Sequence, residues 1–248
     1  MKVVYHEDYN QVYASDPAAS AGRIRAVEIA LKGKVTFVKP EPATKADILE
    51  IHTREHVESV EREGVYDIAA LAAGGAIKAA EIGLIESCFA LIRPPGHHAS
   101  ADSAWGFCYF NNMAIALEKL KRQGKIKKAF ILDFDLHFGD GNVNILGGQE
   151  YVTILNPARQ NRSAYLQEVE KALAETDADM IAASAGFDNH EEDWGGLLKT
   201  EDYTFMGRLM KETAQRNRGG CFGILEGGYN HQVLGKNVLA FIEGLKGK

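Results

Sequence analysis

Four short apolar runs in this chain each end in a polar cluster, and helix-like segments lie between them. Cys88–Ile92 runs into Arg93-Pro94-Pro95-Gly96, Ala129–Leu132 into Asp133-Phe134-Asp135, Met180–Ser184 into Gly186-Phe187-Asp188, and Cys221–Leu225 into Glu226-Gly227-Gly228-Tyr229. Met113–Arg122, Tyr165–Glu175 and Thr204–Arg216 carry helical periodicity between them, and a last helix is expected over Val233–Leu245. Upstream, Lys2–Tyr5 and Val35–Val38 read as strands. Helices are expected over Arg23–Leu31, over Lys45–Ile51 behind a Thr44 cap, from Arg54 into Glu58–Glu63, and over Tyr66–Ile85, where Gly74-Gly75 allows close packing. Strands alternating with helices require crossover connections, hence an α/β fold with a mostly parallel sheet and helices on both faces. The strands of such a sheet point one way, and ligands bind beyond their carboxyl ends. All four clusters fall at that end, so residues far apart in the sequence should converge there.

The length, 248 residues, suits one α/β domain spanning 1–248. Lys and Arg number 28 against 34 for Asp and Glu, a formal charge of −6, which disfavours electrostatic binding of nucleic acid or of an anionic membrane. His6-Glu7-Asp8 ends the first apolar stretch at once, and no run reaches the roughly 20 apolar residues of a membrane span. Cys88, Cys108 and Cys221 are scattered and odd in number, as expected of reduced thiols in a cytoplasmic protein.

Asp135 and His137 stand two apart just past a strand. In extended backbone such positions share a face and can grip one ion together, and Asp188 can supply a third donor. Two carboxylates and an imidazole leave positions free for water and substrate, which distinguishes a catalytic metal site from a closed structural one. Oxygen and nitrogen donors without thiolate suit Zn2+ or Fe2+, with Mn2+ a further candidate. Taken alone, Asp-x-His reads more readily as a capping carboxylate and a packed histidine; convergence at one sheet edge reverses the balance in favour of the metal. His97-His98 follow a rigid Pro-Pro-Gly turn and are either a chance pair or a base beside a reacting water. Asp133 and Asp140 flank the ligand pair and are the candidate partners for fixing the two tautomers. Tyr229, after Gly227-Gly228, is either a packed turn residue or a phenol that donates to a developing oxyanion. The aromatic-rich turn Gly106–Phe110 either walls a narrow slot or patches a helix entry.

His52-Thr53-Arg54-Glu55-His56 matches the H-x-x-E-H pattern of one class of zinc proteases. That pattern works only on one continuous helix face, and Thr53 has the character of a helix cap that would break it. The glycine-rich stretches fit neither a P-loop nor a dinucleotide fingerprint.

In order along the chain, Arg93-Pro94-Pro95-Gly96-His97-His98-Ala99, Gly106-Phe107-Cys108-Tyr109-Phe110-Asn111, Asp133-Phe134-Asp135-Leu136-His137 with Gly139-Asp140-Gly141, Ala185-Gly186-Phe187-Asp188 and Leu225-Glu226-Gly227-Gly228-Tyr229 together resemble the histone deacetylase and acetylpolyamine amidohydrolase family. The last of these is similar to its class II branch and prokaryotic relatives. The resemblance spans essentially the whole chain, beginning at Tyr5-His6 and Asp16-Pro17 with Gly22-Arg23. It implies the single-domain arginase/deacetylase-like fold and hydrolysis of an N-acetylated amine at one catalytic metal, usually zinc. It implies Asp135, His137 and Asp188 as metal ligands, His98 as general base and then acid with Asp140, and His97 as an electrostatic partner held by Asp133. Tyr229 would polarise the acetyl carbonyl, Gly106, Phe107 and Gly228 would line the substrate slot, and a structural monovalent cation would lie near Asp133 and Asp135.

The chain also departs from the pattern. Phe138 stands where many relatives carry a second histidine, and Asn112 where an Asp is common. The stretch from Asn156 to Asp188 lacks the aromatic, glycine-rich loop that walls the slot in many relatives, and the segment between Glu63 and Tyr66 is very short. Trp194 lies where polyamine-selective relatives carry a gating Glu, so it is expected to shape a wider, shallower mouth and to touch substrate. No dimer-forming insertion is evident, and a monomer is expected. The expected activity is removal of acetyl, or longer acyl, groups from primary amines such as acetyl-lysine or acetylpolyamines. Two other readings stand beside it. A binuclear manganese ureohydrolase would need Asp-x-His-x-Asp and a further Asp-x-Asp, which this order of residues does not supply. A non-catalytic acyl-amine binding protein would have no reason to keep every catalytic residue.

Overall fold

The computed structural model describes residues 1–247. Seven strands form one sheet: β1 (Lys2–Val4), β2 (Thr36–Val38), β3 (Cys88–Ala90), β4 (Ala129–Asp133), β5 (Val152–Leu155), β6 (Met180–Ala185) and β7 (Gly220–Leu225). Every pairing is parallel, in the order β2-β1-β3-β7-β6-β4-β5. The helices are α1 (Arg23–Leu31), α2 (Lys45–Leu49), α3 (Arg54–Arg62), α4 (Tyr66–Gly83), α5 (Asn112–Arg122), α6 (Asp140–Leu146), α7 (Arg162–Glu175), α8 (Thr200–Arg216) and α9 (His231–Lys246). They form two groups, α4 with α5 against β1, β3 and β7, and α8 with α9, α1 and α7 against β6 and β7. Covered on both faces, β4, β6 and β7 are buried residue for residue, which is why they read as unbroken apolar runs.

Local signals account for most element ends. Thr44 and Asp47 make a reciprocal capping box at α2. Thr53 caps α3 by accepting from the His56 N–H, and Asn111 caps α5 by accepting from the Ala114 N–H. Gly74 lets α4 lie against the Glu41–Ala43 backbone, where a Cβ would come within 2.6 Å of the Ala43 nitrogen, so the expected close packing is present.

Two elements were not expected from the sequence. β5 is a half-buried edge strand, so no fully apolar run marks it. α6 begins at Asp140-Gly141, and glycine is a poor helix former; the Asn142 N–H, which donates to the His97 carbonyl, ties this turn to another loop. Among the described residues, no helix is long and apolar enough to cross a membrane.

The loops bearing the polar clusters leave β3, β7, β6 and β4, which are adjacent strands in that order. The sheet therefore brings all four together at its carboxyl edge.

Candidate active site

Alternation along the end of β4 and the loop beyond it sorts the side chains. Phe134 turns into an aromatic cluster with Phe187, Tyr203 and Phe241, with ring centroids 5.2 to 5.9 Å away. Phe187 follows β6, so this cluster pins the loop after β4 to the loop after β6. Their carboxylates, Asp135 and Asp188, meet with His137 as the sequence led us to expect: one ligand atom from each of the three lies within 4.8 Å of the others. The pairing of Asp135 with His137 does not come from extended backbone, however. β4 ends at Asp133, and the chain bends so that Asp135 Oδ1 accepts the His137 N–H at 2.9 Å. A carboxylate that satisfies the backbone of its own turn is held more tightly than one on a free strand.

Cross-ties between loops fix the remaining oxygens. Asp135 Oδ2 accepts the Gly227 N–H at 2.8 Å, and Asp188 Oδ1 accepts the Leu136 N–H at 3.0 Å. Asp188 Oδ2 is buried, lies 3.1 Å from His137 Nδ1 and has no hydrogen-bond partner. Burial, and then the neighbouring Asp135 charge, push the Asp188 carboxyl up to about 6, while the close Asp135 and Asp188 carboxylates push His137 up to about 10. Burial opposes ionisation of Asp135, but the charge on His97 and the bonds from His137 and Gly227 hold its carboxyl low. Four carboxylates, Asp133, Asp135, Asp188 and Glu226, are thus buried around three imidazoles, those of His97, His98 and His137. Such an excess of buried negative charge, with an orphaned oxygen aimed at a nitrogen donor, fits a divalent cation held by Asp135, His137 and Asp188. Asp133 Oδ1 is likewise buried without a partner, which fits a further cation beside it.

His97 and His98 both face this cluster, as expected, with ring centroids 4.0 Å apart. His97 Nδ1 lies 3.2 Å from Asp133 Oδ2, which also accepts from Asn142 Nδ2 at 3.0 Å, and His97 Nε2 lies 3.8 Å from Asp135 Oδ2. Burial disfavours the charged ring, but the Asp135 and Asp133 carboxylates outweigh it and raise His97 well above the ordinary histidine value. His98 differs: Nδ1 pairs with Asp140 Oδ1 at 2.6 Å, yet burial and the charge on His97 push it down to about 4. The two adjacent histidines are therefore shifted in opposite directions, His97 upward by its carboxylates and His98 downward by burial.

Tyr229 completes the ring of residues. Phe107 meets it edge-on at 5.9 Å, and Trp194 stacks on it at 4.0 Å while lying 6.0 Å from the His137 ring. Trp194, 54% exposed, is therefore an aromatic wall supplied by the loop after β6. Gly106 and Phe107 both adopt positive φ, 58° and 68°, so Phe107 is held in a conformation that costs a non-glycine residue free energy. Gly228 is buried, and its carbonyl accepts from Arg23 Nε at 2.7 Å, so its contact is with the scaffold. Phe138 is 59% exposed at the rim.

Several residues that organise the site were not singled out by the sequence reasoning. Buried Arg23 reaches from α1 to hold the Glu226 and Gly228 carbonyls, and its guanidinium lies over the Tyr229 ring at 5.4 Å. Glu226 Oε2 accepts the Gly96 N–H at 2.7 Å and the His97 N–H at 3.3 Å, and burial pushes its carboxyl up to about 7. Asp193 Oδ2 accepts the Tyr229 and Asn230 N–H groups, both at 2.8 Å. Glu226 and Arg23 both lay within stretches that carry the family resemblance, Leu225–Tyr229 and Gly22-Arg23, but neither was given a role. His52 and His56 lie apart from the cluster. His52 Nε2 accepts the Asn111 N–H at 2.9 Å and His56 Nε2 bonds the Tyr109 carbonyl at 2.7 Å, so the pair fastens a loop instead of forming a protease site.

Residues 18–165 and 157–245 match the model of the histone deacetylase domain. A probable deacetylase of Methanothermobacter thermautotrophicus is 30% identical over an alignment of 306 residues that takes in 100% of this chain and 91% of the relative. That alignment is longer than the chain, as expected where the relative carries loops this chain lacks. A probable deacetylase of Archaeoglobus fulgidus is 31% identical, covering 92% of this chain and 81% of its own. A histone deacetylase-like amidohydrolase of Pseudomonas aeruginosa is 26% identical, covering 88% and 72%. Among solved structures, the HD domain of HDA15 superposes with a TM-score of 0.83 at 24% identity, covering 100% of this chain and 90% of that one, which shows the arginase/deacetylase-like fold. Matched over nearly its whole length, this chain belongs to the histone deacetylase family.

Proposed function

We propose that this chain hydrolyses the amide of N-acylated primary amines, removing acetyl or longer acyl groups from acetyl-lysine side chains or acetylated small amines. The observation that carries this reading is the convergence of Asp135, His137 and Asp188 beside the Asp140-bonded His98 ring and the Tyr229 phenol. A divalent cation on those three ligands, zinc in this reading, would polarise the acyl carbonyl and make a water nucleophilic near neutral pH. A monovalent cation beside Asp133 would have a structural part.

His98 is the general base. Asp140 engages its Nδ1, which leaves Nε2 as the only ring nitrogen free to take the water's proton. His97, kept cationic by Asp133 and Asp135, stabilises negative charge developing at the carbonyl oxygen. Tyr229 donates its phenolic proton in a hydrogen bond to the same oxygen; burial first, and the Asp135 charge second, raise its pKa, so it remains a donor throughout. The C–N bond then breaks as His98 returns its proton to the leaving amine. Gly106, Phe107 and Trp194 confine the chain that carries the acylamine. The metal-ligating cluster found among the described residues has three members, too few for the ligand set of a binuclear ureohydrolase, which favours this reading.

Acetate release from a fluorogenic acetyl-lysine reporter and from N-acetylputrescine by zinc-loaded protein tests the proposal. Tyr229→Phe and His98→Ala should each lower kcat by about 10²-fold or more. Unchanged rates in both variants would refute the assignment of these roles.

A further inference from the structure

Trp105 is an oddity for a packed core and for an ordinary surface. More than half of it is exposed (56%), yet its ring stacks on the nearly buried His98 imidazole, with centroids 3.9 Å apart and planes at 33°. Its indole Nε1–H donates to Asp140 Oδ2 at 2.8 Å, while the other oxygen of the same carboxylate takes His98 Nδ1 at 2.6 Å. The backbone is bent to achieve this. Gly106 and Phe107 both have positive φ, and the Cys108 N–H closes the turn on the Trp105 carbonyl at 3.0 Å. The bend carries Trp105 onto His98 and Phe107 onto Tyr229.

Asp140 needs such a partner. It opens α6 at the protein surface, with about a third of its side chain exposed, and a carboxylate bonded through one oxygen alone is free to turn and to exchange that bond for water. A second bond to the outer oxygen fixes the plane of the carboxylate, and through it the tautomer and direction of the His98 ring. The indole ring meanwhile keeps water from the imidazole face, which strengthens the bond beneath it.

We propose that Trp105 is a positioning residue that locks the Asp140–His98 pair, through its N–H on the carboxylate and its ring over the imidazole. This rests on the reading of His98 as general base, but the geometry is testable without it. Trp105→Phe keeps a smaller aromatic ring over His98 and removes the N–H; Trp105→Ala removes both ring and N–H. The measurements are steady-state kinetics on the acetyl-lysine reporter and the downfield His98 Nδ1–H resonance of zinc-loaded, ¹⁵N-histidine-labelled protein, assigned by its absence in His98→Ala. Trp105→Phe should lower kcat about 10-fold with KM within two-fold of the parent, and should move the resonance upfield or broaden it by exchange. Trp105→Ala should lower kcat further. A Trp105→Phe variant with an unchanged resonance or an unchanged kcat overturns the proposal, as does an effect confined to KM, which would make Trp105 a rim contact only. If the parent protein cleaves no acyl reporter, the proposed function fails on that result, and the resonance alone decides whether Trp105 holds the pair.

Discussion

Acidification should loosen the loop that carries Phe107, and His52 is the reason. This ring is buried beside Phe110 and His56, and its Nε2 accepts the Asn111 N–H at 2.9 Å, a bond that only the unprotonated nitrogen can accept. Burial, and then the nearby His56, depress its pKa from 6.5 to about 4. Because the folded value lies below the unfolded one, the unfolded chain binds the extra proton first. The stabilising contribution is full above about 6.5 and is lost as the pH falls toward 4. Each tenfold difference in proton affinity between the unfolded and folded chain is worth about 1.4 kcal/mol, so the loss reaches about 3 kcal/mol at pH 4. Other groups titrate over the same range, so the comparison is with His52→Gln, whose amide oxygen can accept the same N–H and does not ionise. Urea unfolding at a series of pH values should show the parent losing about 3 kcal/mol more than the variant between pH 7 and pH 4. Two curves that stay parallel within about 0.5 kcal/mol would show that His52 carries no such linkage.

Three further outcomes follow from the site geometry. A Cβ at Gly227 would lie 2.6 Å from Asp135 Oδ2 and 2.7 Å from Asp188 Oδ2, so Gly227→Ala should push both ligand carboxylates aside and weaken zinc binding at least 10-fold in a chelator competition; parental affinity would count against the ligand set. Asp193→Ala strips the acceptor from the Tyr229 and Asn230 N–H groups and should lower kcat about 10-fold or more through misplacement of the phenol, whereas Asp193→Asn, which keeps an acceptor oxygen, should retain most activity; equal rates in all three proteins would dismiss Asp193 as a clamp. Removing zinc should destabilise the fold. An ion present at a thousand times its Kd contributes about 4 kcal/mol, so chelation should lower Tm by about 10 °C, and an unchanged Tm with an unchanged metal content would argue that no such ion is held.

What was legible in the sequence was whatever is decided between neighbours along the chain. Burial on both faces wrote β4, β6 and β7 as apolar runs, and side-chain caps at Thr44 and Thr53 marked where helices begin. The Thr53 cap was enough to put His52 outside the helix that carries His56. The alternation of strand and helix required a parallel sheet, and parallel strands placed every polar cluster at one edge. That is why Asp135, His137 and Asp188 stand out as one group without any distance being known.

Pairing between distant strands lies outside that reach. β5 escaped notice because an edge strand is half-exposed and carries no unbroken apolar run; α6 was hidden because contact with the His97 loop overrides a poor helical start. The adjacency of β3, β7, β6 and β4, which makes four loops into one site, is set by the packing of helices on both faces of the sheet. So are the reach of Arg23 to the Glu226 and Gly228 carbonyls, the cover of Trp105 over His98, and the stacking of Trp194 on Tyr229. The opposite pKa shifts of His97 and His98 belong here too, since they depend on which carboxylates, and how much water, the folded chain leaves beside each ring. The sequence by itself determined the donor types and the edge of the sheet on which they gather, because both follow from local periodicity. Only the tertiary structure decided their distances, protonation and orientation, because these depend on desolvation and on contacts between segments that the chain order keeps far apart.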